Sequence, residues 1–171
     1  MVGVKTNVVT SVEVTDGNAN DSPYLPLLVN ATASRFQIDE VSGDKGYISK
    51  RNLATIVGLG AVPYIPFKEN TTGQGLELWR KLYHFYQYNR PTFLAHYHKR
   101  SNVETTFSMI KGKFGGSIRS KTPVAQRNEV LCKVLCHNIC VLIASIYELG
   151  ITPTFETETA DVSKVGSLRD F

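Results

Sequence analysis

"QIDEVSGDKGYISKRNLATIVGLGAVPYIPFK", residues 37–68, decides the fold class. Its opening, about Ile38 to Ser42, reads as a short strand that runs into a glycine-flanked loop carrying Asp44. "SKRNLATIVGLG" then reads as a helix, with Ser49 as its cap and Gly58 or Gly60 as its stop. "AVPYIPFK" is extended again. Its two prolines cannot donate to a ladder, which confines it to an edge or to a strand with few pairing demands. Strand, helix and strand in so short a span predict a mixed α/β domain whose sheet is packed by helices.

Upstream, "VGVKTNVVTSVEVT" alternates β-branched and polar residues across a "KTN" break and predicts a two-stranded hairpin. "DGNAND" is loop chemistry. "DSPYLPLLVNATASRF" predicts a helix capped by Ser22 or Asp21, with Pro23 in its first turn. Downstream, "LELWRKLYHFYQYNR" predicts a helix ending near Pro91, and a further helix runs from about Phe93 to Phe114. "GGSIRSKTP" is a flexible basic loop, and Pro123 starts a last helix to about Leu149. Residues 1–149 thus form the expected domain. Residues 150–171 have little apolar periodicity and predict a flexible tail.

Composition narrows the class. The 171 residues are 42% hydrophobic and 20% charged, as in a folded globular protein rather than a disordered one. No uninterrupted apolar run of membrane-spanning length stands out, no membrane partner is expected, and "MVGVKTNVVT" lacks the pattern of a signal peptide. A cytoplasmic location follows as the expectation. Three cysteines within one segment do not make a disulfide scaffold. The net charge is +4, but Lys99–Lys133 holds eight Lys/Arg against two Glu, so the rest of the chain sums to −2. Such a block suits a polyanion, most often nucleic acid, or simply a solvated basic surface.

That block contains "YHKRSNVETTFSMIK", residues 97–111. On a continuous helix, Tyr97, Arg100, Glu104 and Lys111 fall within an arc of about 60° and along about 21 Å. Val103, Phe107, Ile110 and Phe114 form a second stripe about 100° away, expected to anchor the helix in the core. An ordinary Arg100–Glu104 surface pair would account for part of this pattern. Asp44, just past a strand, adds a second carboxylate where α/β sheets often place functional groups.

Tyr97-x2-Arg100-x3-Glu104-x6-Lys111 resembles, position for position, the signature of a large group of insertion-sequence transposases of the DDE class. "SGDKGY" resembles the segment holding that family's second catalytic aspartate, and "VEVTDGNANDSPYLPLL" the stretch before it. The resemblance spans about residues 1 to 148 and looks like the C-terminal part of the catalytic domain. It implies a ribonuclease-H-like mixed sheet packed by helices. It also implies DNA strand cleavage and joining with Mg²⁺, for which Mn²⁺ can substitute, on transposon ends and target DNA. A homodimer is implied for the full-length family. Asp44 and Glu104 would be the catalytic metal ligands, hard oxygen donors suited to such ions. Tyr97, Arg100 and Lys111 would contact DNA, with Lys113, Arg119 and Lys121 extending the basic surface.

The family uses three carboxylates, and the first is expected on a strand preceding "VGVKTN". The expectation is therefore a shortened catalytic domain, without that strand and without useful cleavage, with Asp16, Asp21 and Asp39 as candidate substitutes. A non-catalytic nucleic-acid-binding fragment is the alternative, and an unrelated metal-dependent nuclease a third reading. Cys132, Cys136 and Cys140, at i, i+4 and i+8, are read as buried small apolar residues rather than zinc ligands, despite His137 among them. Trp79 and "YHFYQY" are read as core aromatics before base-stacking platforms.

Overall fold

A computed structural model describes residues 1–15, 19–150 and 152. It is mixed α/β, mostly helical, with a small parallel sheet. Strand β1, Glu40–Ser42, and strand β2, Val62–Tyr64, pair in parallel with Val41 opposite Pro63. Between them lies α2, Lys50–Gly58. Ser49 caps it as its sequence predicts, Oγ accepting from the Asn52 N–H at 3.1 Å. The strands are shorter than their apolar runs suggested. Ile65 and Phe67 are buried beyond the last ladder position, so "AVPYIPFK" fills the core more than it extends the sheet.

The segment Asp21–Phe36 divides into a 3₁₀ turn, Ser22–Tyr24, and α1, Leu25–Ala33. Pro23 and Pro26 each fall in a first turn, where a missing N–H costs nothing. Helix α3 spans Glu77–Tyr88, and α4, Arg90–Tyr97, follows at once with Pro91 in its first turn. Leu25 and Val29 of α1, Leu53 and Ile56 of α2, Val41 and Tyr64 of the sheet, and Tyr86 and Phe93 of α3 and α4 share one core. Phe93 is 1% exposed, with its ring centroid 4.9 Å from Tyr86, 5.4 Å from Tyr64 and 5.9 Å from Phe85. Trp79 and Tyr83 lie edge-on to Phe67 as core aromatics, whereas Tyr88 is exposed.

The expected helix from Phe93 to Phe114 is not continuous. A 3₁₀ turn, His98–Arg100, separates α4 from α5, Ser101–Phe114. Of the expected core stripe of α5, Ile110 is buried and Val103 and Phe114 are half-buried, but Phe107 is 54% exposed and Thr106 is buried beside them. The reason lies in the partner. Thr106 Oγ1 donates to the Asn7 side-chain oxygen at 3.3 Å and Asn102 Nδ2 to the Gly3 carbonyl at 3.1 Å, so α5 rests on a polar backbone segment.

That segment was expected to be a hairpin and forms a single antiparallel bridge, Val2 to Val9. Backbone bonds from the Gly3 N–H to the Val8 carbonyl at 2.9 Å and from the Thr10 N–H to the Met1 carbonyl at 3.0 Å flank that bridge, and the outer edge is bonded by α6, Pro123–Leu149. The Asn138 amide accepts from the Val9 N–H and donates to the Val9 carbonyl, both at 2.8 Å, and His137 Nε2 bonds the Asn7 carbonyl at 2.9 Å. Side chains of α6 thus replace a neighbouring strand. Helix α6, Pro123–Leu149, starts as its sequence predicts, with Thr122 Oγ1 accepting from the Ala125 N–H. It corrects one expectation. Cys132 and Cys136 are exposed, and the buried member of that cluster is His137. By length and composition α6 could also cross a membrane, with no charged residue from 134 to 147, a test that soluble helices pass as well. The expected tail, apart from Gly150 and Thr152, lies outside the described residues, as does Asp16.

Candidate active site and nucleic-acid interface

Asp44 lies two residues past β1 and caps the 3₁₀ turn Lys45–Tyr47, its Oδ1 accepting from the Lys45 N–H at 2.6 Å. Asn52, 2% exposed on α2, holds that turn from beneath. Its Nδ2 donates to the Tyr47 carbonyl at 2.8 Å and to the carbonyl and hydroxyl of Ser22, both at 3.1 Å. Burial first, then the charges of Asp21 and Asp44, push the Tyr47 phenol above its usual value, so both aspartates act on the same ring. Asp39 precedes β1, five residues before Asp44 and so about 16 Å away along extended chain. Its carbonyl accepts from the Val62 N–H at 2.9 Å.

The signature residues lie across the helix break. A 3₁₀ turn eclipses positions i and i+3, so the break brings Arg100 over Tyr97. The guanidinium carbon lies 5.1 Å from that ring's centroid. Arg100 Nη1 also meets Glu104 Oε1 at 3.0 Å. Tyr97, Arg100 and Glu104 are therefore one chain of contacts, with the Glu104 side chain 71% exposed. Lys111 is exposed two turns further along α5, close to where Gly115, at φ 81°, ends the helix. The strand end carrying Asp44 is tied to the α4 terminus leading into Tyr97: Ser42 Oγ donates to the His96 carbonyl at 3.0 Å.

The basic block sorts into two halves. Lys99, Arg100, Arg127 and Lys133 are paired with Glu40, Glu104, Glu13 and Glu129. Lys111, Lys113, Arg119 and Lys121 are exposed and have no carboxylate partner among the described residues. Two belong to the end of α5 and two to the loop before α6. Glu129 pins that loop, accepting from the backbone N–H groups of Arg119 at 3.0 Å and Ser120 at 2.9 Å. The Ser120 bonds, then those from Lys133 and Arg119, hold its carboxyl at about 2 against an ordinary 4.5. A depressed carboxyl contributes its stabilisation above 4.5 and loses it as pH falls toward 2. The Arg119 and Ser120 amides are therefore expected to lose protection, measured against their intrinsic exchange rates, as pH drops through that window. Glu129→Gln should flatten the pH profile; an unchanged profile by hydrogen exchange would contradict the pinning.

Asp44 and Glu104 each have one oxygen engaged, by Lys45 N–H and by Arg100, and the other without a hydrogen-bond partner among the described residues. Exposed oxygen donors of this kind suit one magnesium ion, which typically takes one or two carboxylates and keeps several waters. Among the described residues no group of three His, Cys, Asp or Glu gathers as a metal site. Sequence reasoning did not single out Asn52, Glu40 or His96. Asn52 had one legible signal, its place three residues after a capping serine.

A family model described as "Transposase DDE domain" matches residues 1–139. No curated protein and no solved structure matches the chain.

Proposed function

Because the chain belongs to the transposase DDE-domain family, we propose that it acts on DNA in transposition through Asp44, Glu104 and the Tyr97–Arg100 pair. The fold reading that accompanies this is ribonuclease-H-like, with the β1–α2–β2 unit as part of its sheet. One observation carries the proposal. The strand end bearing Asp44 is bonded to the end of α4, where Tyr97 lies under Arg100 of the following turn, and Arg100 pairs with Glu104 of α5.

Asp44 and Glu104 would hold a divalent ion, Mg²⁺ or Mn²⁺. When bound, such an ion polarises a phosphoryl oxygen and lowers the pKa of a coordinated water. The chain's own residues do the rest. Arg100 holds Glu104 in place while keeping guanidinium N–H groups for a phosphate. The Tyr97 ring presents a face for a base, partly occupied by Arg100. Lys111, Lys113, Arg119 and Lys121 supply sequence-independent attraction for the DNA backbone.

Mn²⁺ binding, followed by electron paramagnetic resonance of the free ion, tests the ligand assignment. Asp44→Asn and Glu104→Gln are each expected to weaken binding at least about tenfold, since each removes an anionic ligand. Unchanged affinity in both would remove the assignment. A second reading, DNA binding without chemistry, is favoured by the count of two carboxylates at the site. Under it the chain binds DNA and cleaves none with either ion. Ion-dependent cleavage that Glu104→Gln abolishes would instead establish the catalytic reading.

A further inference from the structure

Glu40, His96 and Lys99 form a charged cluster between the two arms of the site. Both Glu40 oxygens are engaged, Oε2 by His96 Nδ1 and Oε1 by Lys99 Nζ, each at 2.5 Å, and Lys99 Nζ lies 3.3 Å from the same imidazole nitrogen. The first bond requires the His96 proton on Nδ1 when the ring is neutral. The other face of the imidazole is covered: Tyr64 of β2 stacks on it at 4.4 Å between centroids and 8° between planes. The Glu40 side chain is 25% exposed and those of His96 and Lys99 33% and 38%. Burial pushes the Glu40 carboxyl up, and the hydrogen bonds and charges of Lys99 and His96 more than reverse this, leaving it below its ordinary value.

This is more than an isolated surface ion pair. One carboxylate is shared by two donors fifty-six and fifty-nine residues away in sequence, beside the bond from the Ser42 hydroxyl to the His96 carbonyl, which also joins β1 to α4. Glu40 opens β1, which ends just before Asp44. His96 and Lys99 straddle the start of the 3₁₀ turn that eclipses Tyr97 with Arg100. We propose that Glu40, His96 and Lys99 are positioning residues that fix the Asp44 loop relative to the Tyr97–Arg100–Glu104 face. Lys99 is thereby assigned to the clamp and not to the DNA. The inference rests on the reading that Asp44 and Glu104 work as a pair, and on no contact between the cluster and substrate.

Spin labels read the separation directly. With Cys132, Cys136 and Cys140 replaced by serine, nitroxides on Lys45→Cys and Thr105→Cys lie next to the two carboxylates and leave both intact. Dipolar electron paramagnetic resonance is expected to give a narrow distance distribution. Glu40→Gln and Lys99→Met should each broaden it, and Lys99→Arg, which keeps the cation and its reach, should restore it. Glu40→Gln and Lys99→Met should also weaken Mn²⁺ binding about tenfold or more, as outer-shell substitutions at metal sites do.

Should Glu40→Gln fail to fold, Lys99→Met carries the test. An unchanged distribution in folded variants would overturn the proposal, whatever happens to the melting temperature. If Mn²⁺ affinity ignores Asp44→Asn and Glu104→Gln, the ligand reading fails, while the label distances still decide whether the cluster positions the two arms.

Discussion

Raising salt from 50 to 200 mM is expected to weaken binding of this chain to duplex DNA about 100-fold. The magnitude follows from the unpaired cations. Each phosphate neutralised contributes about −0.9 to the slope of log K against log salt. Lys111, Lys113, Arg119 and Lys121 lack carboxylate partners among the described residues, whereas the other four cations of the block are paired. Four contacts give a slope of about −3.6; all eight would give about −7 and a loss near 10⁴-fold. Reversing Arg119 and Lys121 to glutamate should halve the four-contact slope and weaken binding to all sequences alike. Fluorescence anisotropy at four salt concentrations measures it. A slope near −7 would show that the ion pairs open on DNA, and a slope untouched by the reversals would remove the loop from the interface.

Phe93→Ala is expected to destabilise the fold by about 3–5 kcal/mol, the usual loss for an aromatic ring deleted from a close-packed core. Phe93 is 1% exposed and meets rings from β2 and α3, so no single neighbour can collapse into the space. It also sits one turn before His96 and Tyr97. The same substitution should therefore loosen the helix terminus that carries the signature residues. Urea denaturation followed by circular dichroism reads the loss as a lower midpoint at constant slope. A shift below about 1 kcal/mol would mean the α3–α4 aromatic cluster is not the core it resembles. Phe107→Ala provides the contrast. That ring is half exposed on α5 and should cost much less.

The family was legible because its signature depends on residue type at fixed spacing, and type and spacing are properties of the chain alone. Tyr97, Arg100, Glu104 and Lys111 are read off without knowing where any of them sits. Local capping was legible for the same reason. Ser49 and Thr122 cap α2 and α6 through hydroxyls acting three residues away, and Pro123 opens α6 because its fixed φ suits a first turn. The strand before Asp44 was placed within two residues of its start.

What neighbours do to a segment was not legible. Residues 1–10 do pair on themselves in a short hairpin, but nothing in the alternating pattern shows that its outer edge is bonded by Asn138 and His137, from more than a hundred residues away. Helix α5 was assigned an apolar inner face, but it packs on the polar groups of that same segment, so Thr106 went in and Phe107 came out. The break at His98–Arg100 carries no proline or glycine to announce it. It coincides with the place where Lys99 and His96 grip Glu40 across the fold. Sequence by itself determined the family and where α2 and α6 begin. Tertiary structure alone decided which cations are paired among the described residues, which carboxylate is already occupied and how β1 is tied to the end of α4. Each of those depends on groups far apart in the chain, and contact free energy depends on distance in space, which spacing along a sequence does not encode.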